Sequence, residues 1–286
     1  MAVYERVYRG YFGVLTGSLA RPLVIVRYAL ADLFESKLFF AFFMACLLPS
    51  VVFMLVLYLA YNVEALTLFE ISPGDLLKVD AGFFAQFLQR PVAVLSFVMI
   101  LMVGPALISP DLRNNAMPLY LSRPLSKSDY VVGKLATLVV LASAITWIPG
   151  ILLFTFQAYL AEDGWLLANL RVPMAMIVSS LVWTLCLSVI SLAISAWVKW
   201  KPVARLMFLG LFFLMSAIGG VMTEMGGWQS GIVNFFEAHE VLATGLYGVS
   251  THGTTMTWLA LGWFASITVL ATSLLFRRVR AHEVVV

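Results

Sequence analysis

The sequence predicts an all-α integral membrane protein with six transmembrane helices. Three observations carry that expectation. The 286 residues are 62% hydrophobic and only 12% charged, whereas a soluble domain has about a quarter of its residues charged. The apolar residues gather into six runs, about 38–61, 92–109, 135–160, 172–198, 203–223 and 257–276, each near the ~20 residues that cross a bilayer as a helix. The runs are apolar on all sides. Barrel strands are short and alternate, so helices are the form in which these segments satisfy their own amides and carbonyls in lipid.

Residues 1–37 form a leading segment. Arg6, Arg9, Arg21, Arg27 and Lys37 are scattered through it, without the apolar core and small-residue cleavage site of a signal peptide. Over residues 18–37, Arg21, Tyr28, Asp32 and Glu35 share one helix face, and Leu23, Val24, Ile25, Leu30, Leu33 and Phe34 fill much of the rest. That pattern predicts an amphipathic helix lying in the membrane interface.

The six spans follow over 38–276, and 277–286 is a short tail. The outer loop from Asn62 to Arg90 contains the turn Ser72-Pro73-Gly74-Asp75. Its second half, Asp75 to Gln89, predicts a short helix resting on the outer surface. Glu162-Asp163-Gly164 is a tight acidic turn between spans three and four. Residues 219–256 hold Trp228, Phe235, Phe236 and Tyr247 but no Lys or Arg, and are broken by glycine. They are too apolar for a solvated loop and too interrupted for another crossing, so a re-entrant or interfacial hairpin is expected.

Orientation follows from the basic residues. With both termini cytoplasmic, all but Lys78, Arg90 and Arg171 of the 18 Lys and Arg residues lie on the inner side, as the positive-inside rule requires. The net charge of +3 then reports topology and contact with anionic lipid headgroups, not nucleic-acid binding. Cys46 and Cys186 both fall within spans and behave as small hydrophobes. Two cysteines alone build no disulfide framework or metal spacing.

The segment from Ser109 to Lys134, SPDLRNNAMPLYLSRPLSKSDYVVGK, is the most elaborate part of the cytoplasmic face. Ser109-Pro110 has the form of an N-cap followed by proline at the first helical position. The helix is expected to kink or end near Pro118, and Arg123-Pro124 makes a turn. Ser126 with Asp129 three residues on has the form of a capping box opening a helix through Tyr130, Gly133 and Lys134 into span three. A loop that only joined two spans could be much shorter.

This segment resembles the permease subunits of ABC-2 type transporters. The residues that carry the resemblance are Asp111 and Arg113 at the end of a span, Leu119-Tyr120-Leu121-Ser122-Arg123-Pro124, Ser126 to Asp129, and Tyr130-Val131-Val132-Gly133-Lys134. The nearest group in kind is the separate permeases named for multicopper-enzyme maturation. Ala116 stands where a glycine is common, and Pro118 interrupts a helix that is usually continuous. The resemblance implies an ABC-2 type exporter fold with six helices, an N-terminal interfacial connecting helix, and a cytoplasmic coupling helix that docks on an ATPase. It further implies polar ATPase contacts from Asp111, Arg113, Arg123, Lys127 and Asp129, and apolar anchors at Leu119, Tyr120 and Leu121. Tyr120 and Arg123 are expected to matter most, because aromatic and arginine side chains dominate interface energetics.

ATP chemistry is expected elsewhere. The one Gly-Lys pair is Gly133-Lys134, with Ser128 where the first glycine of a phosphate loop belongs and Leu135 where Ser or Thr should follow. ATP and Mg are therefore expected on partner ATPase subunits, two per complex, with no cofactor in this chain. A second permease copy or paralogue and membrane lipids complete the expected partners, in a cell inner (plasma) membrane.

Span four carries Ser180, Thr184, Ser188, Ser191 and Ser195 on one face. Such a stripe serves close helix packing and interhelical hydrogen bonding, or lines a translocation path. Met207, Met215, Met222 and Met225 share a face of span five and read as core packing. The span interiors hold no Asp, Glu, Lys or His, which disfavours ion-coupled transport. An enzyme is also disfavoured. His239-Glu240 opens like a zinc-protease motif, but Ala243 occupies the second histidine position, and Ser250 with His252 are neighbours in the outer loop. No catalytic or metal residues are assigned. The expected function is the permease of an ATP-driven transporter, in the export direction. The alternative is a membrane scaffold that passes ATPase motion to an outer-face partner.

Overall fold

A computed structural model describes residues 17, 20–62, 79–116, 125–161, 164–250 and 252–279. Among these, all regular structure is helical. The elements are α1 (Arg21–Glu35), α2 (Lys37–Tyr61), α3 (Ala81–Arg113), α4 (Lys127–Leu160), α5 (Arg171–Trp197), α6 (Lys201–Gly226), α7 (Phe235–Tyr247) and α8 (Gly253–Arg278). Six of them, α2 to α6 and α8, are long and apolar enough to cross a membrane.

Local chemistry sets the boundaries. Ser36 separates α1 from α2, and its hydroxyl accepts the Phe39 amide at 3.4 Å. Asp80 caps α3 by accepting the Phe83 amide at 2.9 Å. The helix then passes through a π turn, Phe84–Gln89, before running on as a regular α-helix. α4 bends at Thr146. The cause is Pro149, which offers no amide to the carbonyl of Ile145 and crowds it. Gly227, at φ +79°, turns the chain after α6, and α7 then packs back against α5 and α8.

The expected surface helix before span two is, from Ala81 onwards, the N-terminal part of α3 itself. Phe83, Phe84 and Leu88 bury there against Leu57, Phe154 and Met176, which holds the extension onto the bundle. Ser109-Pro110 likewise opens no new helix. α3 continues through both Pro105 and Pro110 to Arg113, and Ser109 is fully buried. The four-methionine face also differs from its reading as core: Met207, Met222 and Met225 are exposed, and only Met215 leans on the core.

α3, α4 and α5 form the buried heart of the bundle, with α2, α6 and α8 packed outside. One core cluster centres on Trp183, which is fully buried and ringed by Phe236, Phe264 and His239. Phe97, Phe208 and Phe212 continue it towards α6.

Candidate coupling site

The C-terminal end of α3 and the N-terminal start of α4 are bound together by three side chains. Asp111 near the end of α3 accepts a hydrogen bond from the Tyr130 hydroxyl at 2.6 Å. The same carboxylate oxygen, Oδ2, lies 3.0 Å from the Lys134 ammonium. Both charged side chains are largely buried, Lys134 at 10% exposure and Asp111 at 16%. Tyr130 and Lys134 are one helical turn apart, so both face Asp111, and the ammonium also sits 5.4 Å from the Tyr130 ring centroid.

The start of α4 carries the expected capping box. The Ser126 hydroxyl accepts the Asp129 amide at 3.1 Å, and the Asp129 carboxylate accepts the Ser126 amide at 3.0 Å. The backbone hydrogen bond from Ser126 holds the Asp129 carboxyl below its ordinary pKa, with the Ser126 side chain and the charge of Arg21 acting in the same direction. Arg21 opens α1, so the first helix also reaches this corner.

α1 crosses α4 at Gly133. A Cβ placed there would fall 2.9 Å from the Cβ of Ile25, so only glycine lets the two backbones approach this closely. α1, the α4 start and the α3 end thus form one packed unit.

Of the residues the sequence pointed to, Asp111 faces inward to Tyr130 and Lys134, Arg113 and Lys127 are exposed, and Asp129 closes the capping box. Leu119, Tyr120, Leu121 and Arg123 lie outside the described residues. Sequence reasoning quoted Tyr130 and Lys134 within a motif but gave them no role. Their four-residue spacing opposite an acidic helix end was the available signal.

The α5 stripe is buried against α3. Ser180, Thr184, Ser188, Ser191 and Ser195 are each at most 1% exposed. The Ser195 hydroxyl accepts the Ser109 amide at 2.9 Å and the Ile108 amide at 3.3 Å, and donates to the Pro105 carbonyl at 3.1 Å. Ser109 Oγ donates back to the Ser195 carbonyl at 3.2 Å. In a regular helix the Ser109 amide and Pro105 carbonyl pair with each other; here a hydroxyl from the neighbouring helix engages both. Arg205 of α6 donates to the Met102 carbonyl at 2.8 Å, just outside the same proline-weakened stretch. Gly104 lies hard against Ser191, and the hydroxyls of Ser188 and Ser191 are buried without a hydrogen-bond partner. At the top of the stripe, Gln89 donates to the Ser180 hydroxyl at 3.1 Å.

Ser250 accepts the backbone amide of His252 at 3.0 Å, a local turn contact. Among the described residues no three His, Cys, Asp or Glu side chains gather to hold a metal ion.

A bundle of six helices long and apolar enough to span a membrane, with the capped start of α4 tied to the end of α3, defines a polytopic membrane component. The family model described as an ABC-2 family transporter protein matches residues 79–271, and the chain belongs to that family. It is a multi-pass permease component of an ABC transporter, a family whose membrane component is generally non-enzymatic and associates with ABC ATPase partners. No curated protein matches the chain.

Proposed function

We propose that this chain is the permease of an exporter, working as a pair of permease copies or paralogues with two separate ATPase subunits that bind ATP and Mg. ATP binding draws the ATPases together and pushes on the loop between α3 and α4. Asp111, Tyr130 and Lys134 pass that displacement into both helices at once, and α1 follows through Gly133. The observation that carries this reading is the shared Asp111 oxygen, which ties the two sides of the loop into a single lever. Both termini are then cytoplasmic, in the cell inner membrane, in keeping with the separate multicopper-maturation type of permease.

Within this reading Arg113, Lys127 and Asp129 set register on the ATPase, with Leu119, Tyr120, Leu121 and Arg123 completing the surface. The Ser180–Ser195 stripe holds α5 to α3. Its burial within one chain favours a cargo path elsewhere, along the exposed faces of α2, α6 and α8 where a second copy would sit.

Co-purification tests the proposal. The solubilised permease should retain an ABC ATPase, and Tyr120→Ala with Arg123→Ala should abolish retention while the bundle stays folded. Labelling of single cysteines at 117–124 from outside intact cells, or retention unaffected by the double substitution, would sink it.

A further inference from the structure

Between the outer part of α3 and α7 lies a cavity of about 270 Å³ that the lever mechanism does not use. Ala85, Ala93, Val94, Phe236 and Ala243 give it apolar walls. At its rim Arg90 and Glu240 form an ion pair, with the side chains 60% and 47% exposed. His239 also lines it, only 4% exposed, and its Nε2 has no hydrogen-bond partner.

The other buried polar neighbour, Gln89, donates to Ser180 and accepts from the Tyr247 hydroxyl at 3.3 Å, so it is bonded away from His239. The imidazole is fixed in place by Trp183, whose ring centroid is 4.6 Å away and whose indole donates to the Ala93 carbonyl at 3.2 Å. A buried imidazole with an unpartnered nitrogen beside a cavity is the kind of group whose retention calls for an explanation.

Depth identifies the ligand. At ~1.5 Å per residue, Arg90 is about 35 Å along α3 from Arg113, one hydrocarbon thickness from the inner end. Arg90 and Glu240 therefore stand at the outer headgroups. Ala93, which lines the cavity together with His239, is about one turn deeper along α3. The cavity thus presents a cation and an anion side by side at headgroup level, one hydrogen-bonding group below them, and apolar walls.

We propose that this cavity binds a zwitterionic glycerophospholipid, phosphatidylethanolamine, from the outer leaflet. Its phosphate meets Arg90, its ammonium meets Glu240, and its ester region lies beside the His239 ring on the cavity wall. Phosphatidylglycerol offers Glu240 only neutral hydroxyls where phosphatidylethanolamine offers an ammonium, so charge complementarity favours the zwitterion. The assignment rests on the membrane orientation given above, but not on any ATPase partner.

Native mass spectrometry of the delipidated full chain in detergent tests it, with dioleoyl phosphatidylethanolamine and dioleoyl phosphatidylglycerol as probes. One phosphatidylethanolamine per chain should bind at least fivefold more tightly than phosphatidylglycerol. Glu240→Gln keeps a hydrogen-bonding partner for Arg90 but removes the negative charge, and should reverse the preference. His239→Leu should weaken both lipids together without changing their ratio. Equal binding of the two lipids by the unaltered chain overturns the proposal, and that comparison needs no variant to fold. A preference unchanged in Glu240→Gln overturns it as well. Soluble glycerophosphoethanolamine at matched concentration should fail to displace the lipid; displacement would make a free headgroup, not a lipid, the occupant. Loss of ATPase co-purification leaves these readouts untouched, so the two proposals fail separately.

Discussion

Asp111 and Lys134, on different helices and 23 positions apart in sequence, meet at 3.0 Å in a largely buried ion pair that closes the base of the α3–α4 hairpin. Removing one partner strands the other charge away from water. That typically costs about 3–5 kcal/mol for a fully buried pair, and the residual exposure here sets the expectation for Lys134→Met at the lower end, about 3 kcal/mol. The double variant Asp111→Asn with Lys134→Met should recover most of the loss, because neither charge is then left alone. Thermal unfolding of the purified protein in detergent checks both values.

Ser195→Ala withdraws the hydroxyl shared by the Ser109 amide and the Pro105 carbonyl. Interhelical hydrogen bonds in membranes average about 0.6 kcal/mol and reach about 1.7, and this hydroxyl serves several groups, so about 1–2 kcal/mol is expected. Gly104→Val should be worse, since Ser191 already occupies the space a Cβ needs. Folded yield and unfolding temperature, ranked wild type, Ser195→Ala, Gly104→Val, provide the check.

The capping box should be pH-sensitive. Because Asp129 has its folded-state pKa lowered by the Ser126 amide, its contribution is present above the ordinary carboxylate range near ~4 and is lost as pH falls through the lower folded-state value. Protection factors of the amides at residues 126–130, corrected for intrinsic exchange, should therefore be high near neutral pH and fall on acidification. In Asp129→Ala they should be low at every pH. A wild-type profile that is flat with pH would contradict the assignment.

Arg171 donates to the carbonyls of Leu246 at 2.6 Å and Gly245 at 2.8 Å. It thereby satisfies the exposed C-terminal end of α7, where a cation also complements the helix dipole. Arg171→Ala should raise hydrogen exchange across Phe235–Tyr247 and leave α4 unchanged. Arg171→Lys should fall between, because an ammonium cannot present two fixed donors as a guanidinium does.

Gly133→Val should separate α1 from α4 by forcing Ile25 aside. The expected outcome is a folded permease that still binds its ATPase but no longer links nucleotide turnover to movement of the bundle. The measurement is site-directed crosslinking between α1 and α4, with and without ATP.

Much of this organisation is written in local pattern. Six spans follow from hydrophobic run length, and the Ser126–Asp129 box follows from side chains three residues apart. What escaped the sequence depends on neighbours far along the chain. Ser109-Pro110 has the spelling of a helix start, yet Ser195 of α5 engages the backbone groups beside it and α3 runs on. Met207, Met222 and Met225 share a face as expected, but periodicity alone does not say whether a face meets core or lipid. The cavity beside His239 draws on stretches around 85–94 and 236–244, with Trp183 behind the imidazole, and no linear motif joins them.

The hydroxyl from α5 has a mechanical consequence. A helix interrupted by two prolines would ordinarily flex wherever its own hydrogen bonds are missing, whereas here the weak point is pinned by its neighbour. With that hydroxyl in place, α3 and α5 are braced against each other at this point. Ser195→Ala should therefore leave the last turns of α3, from Ile108 to Arg113, freer to bend than the rest of the helix.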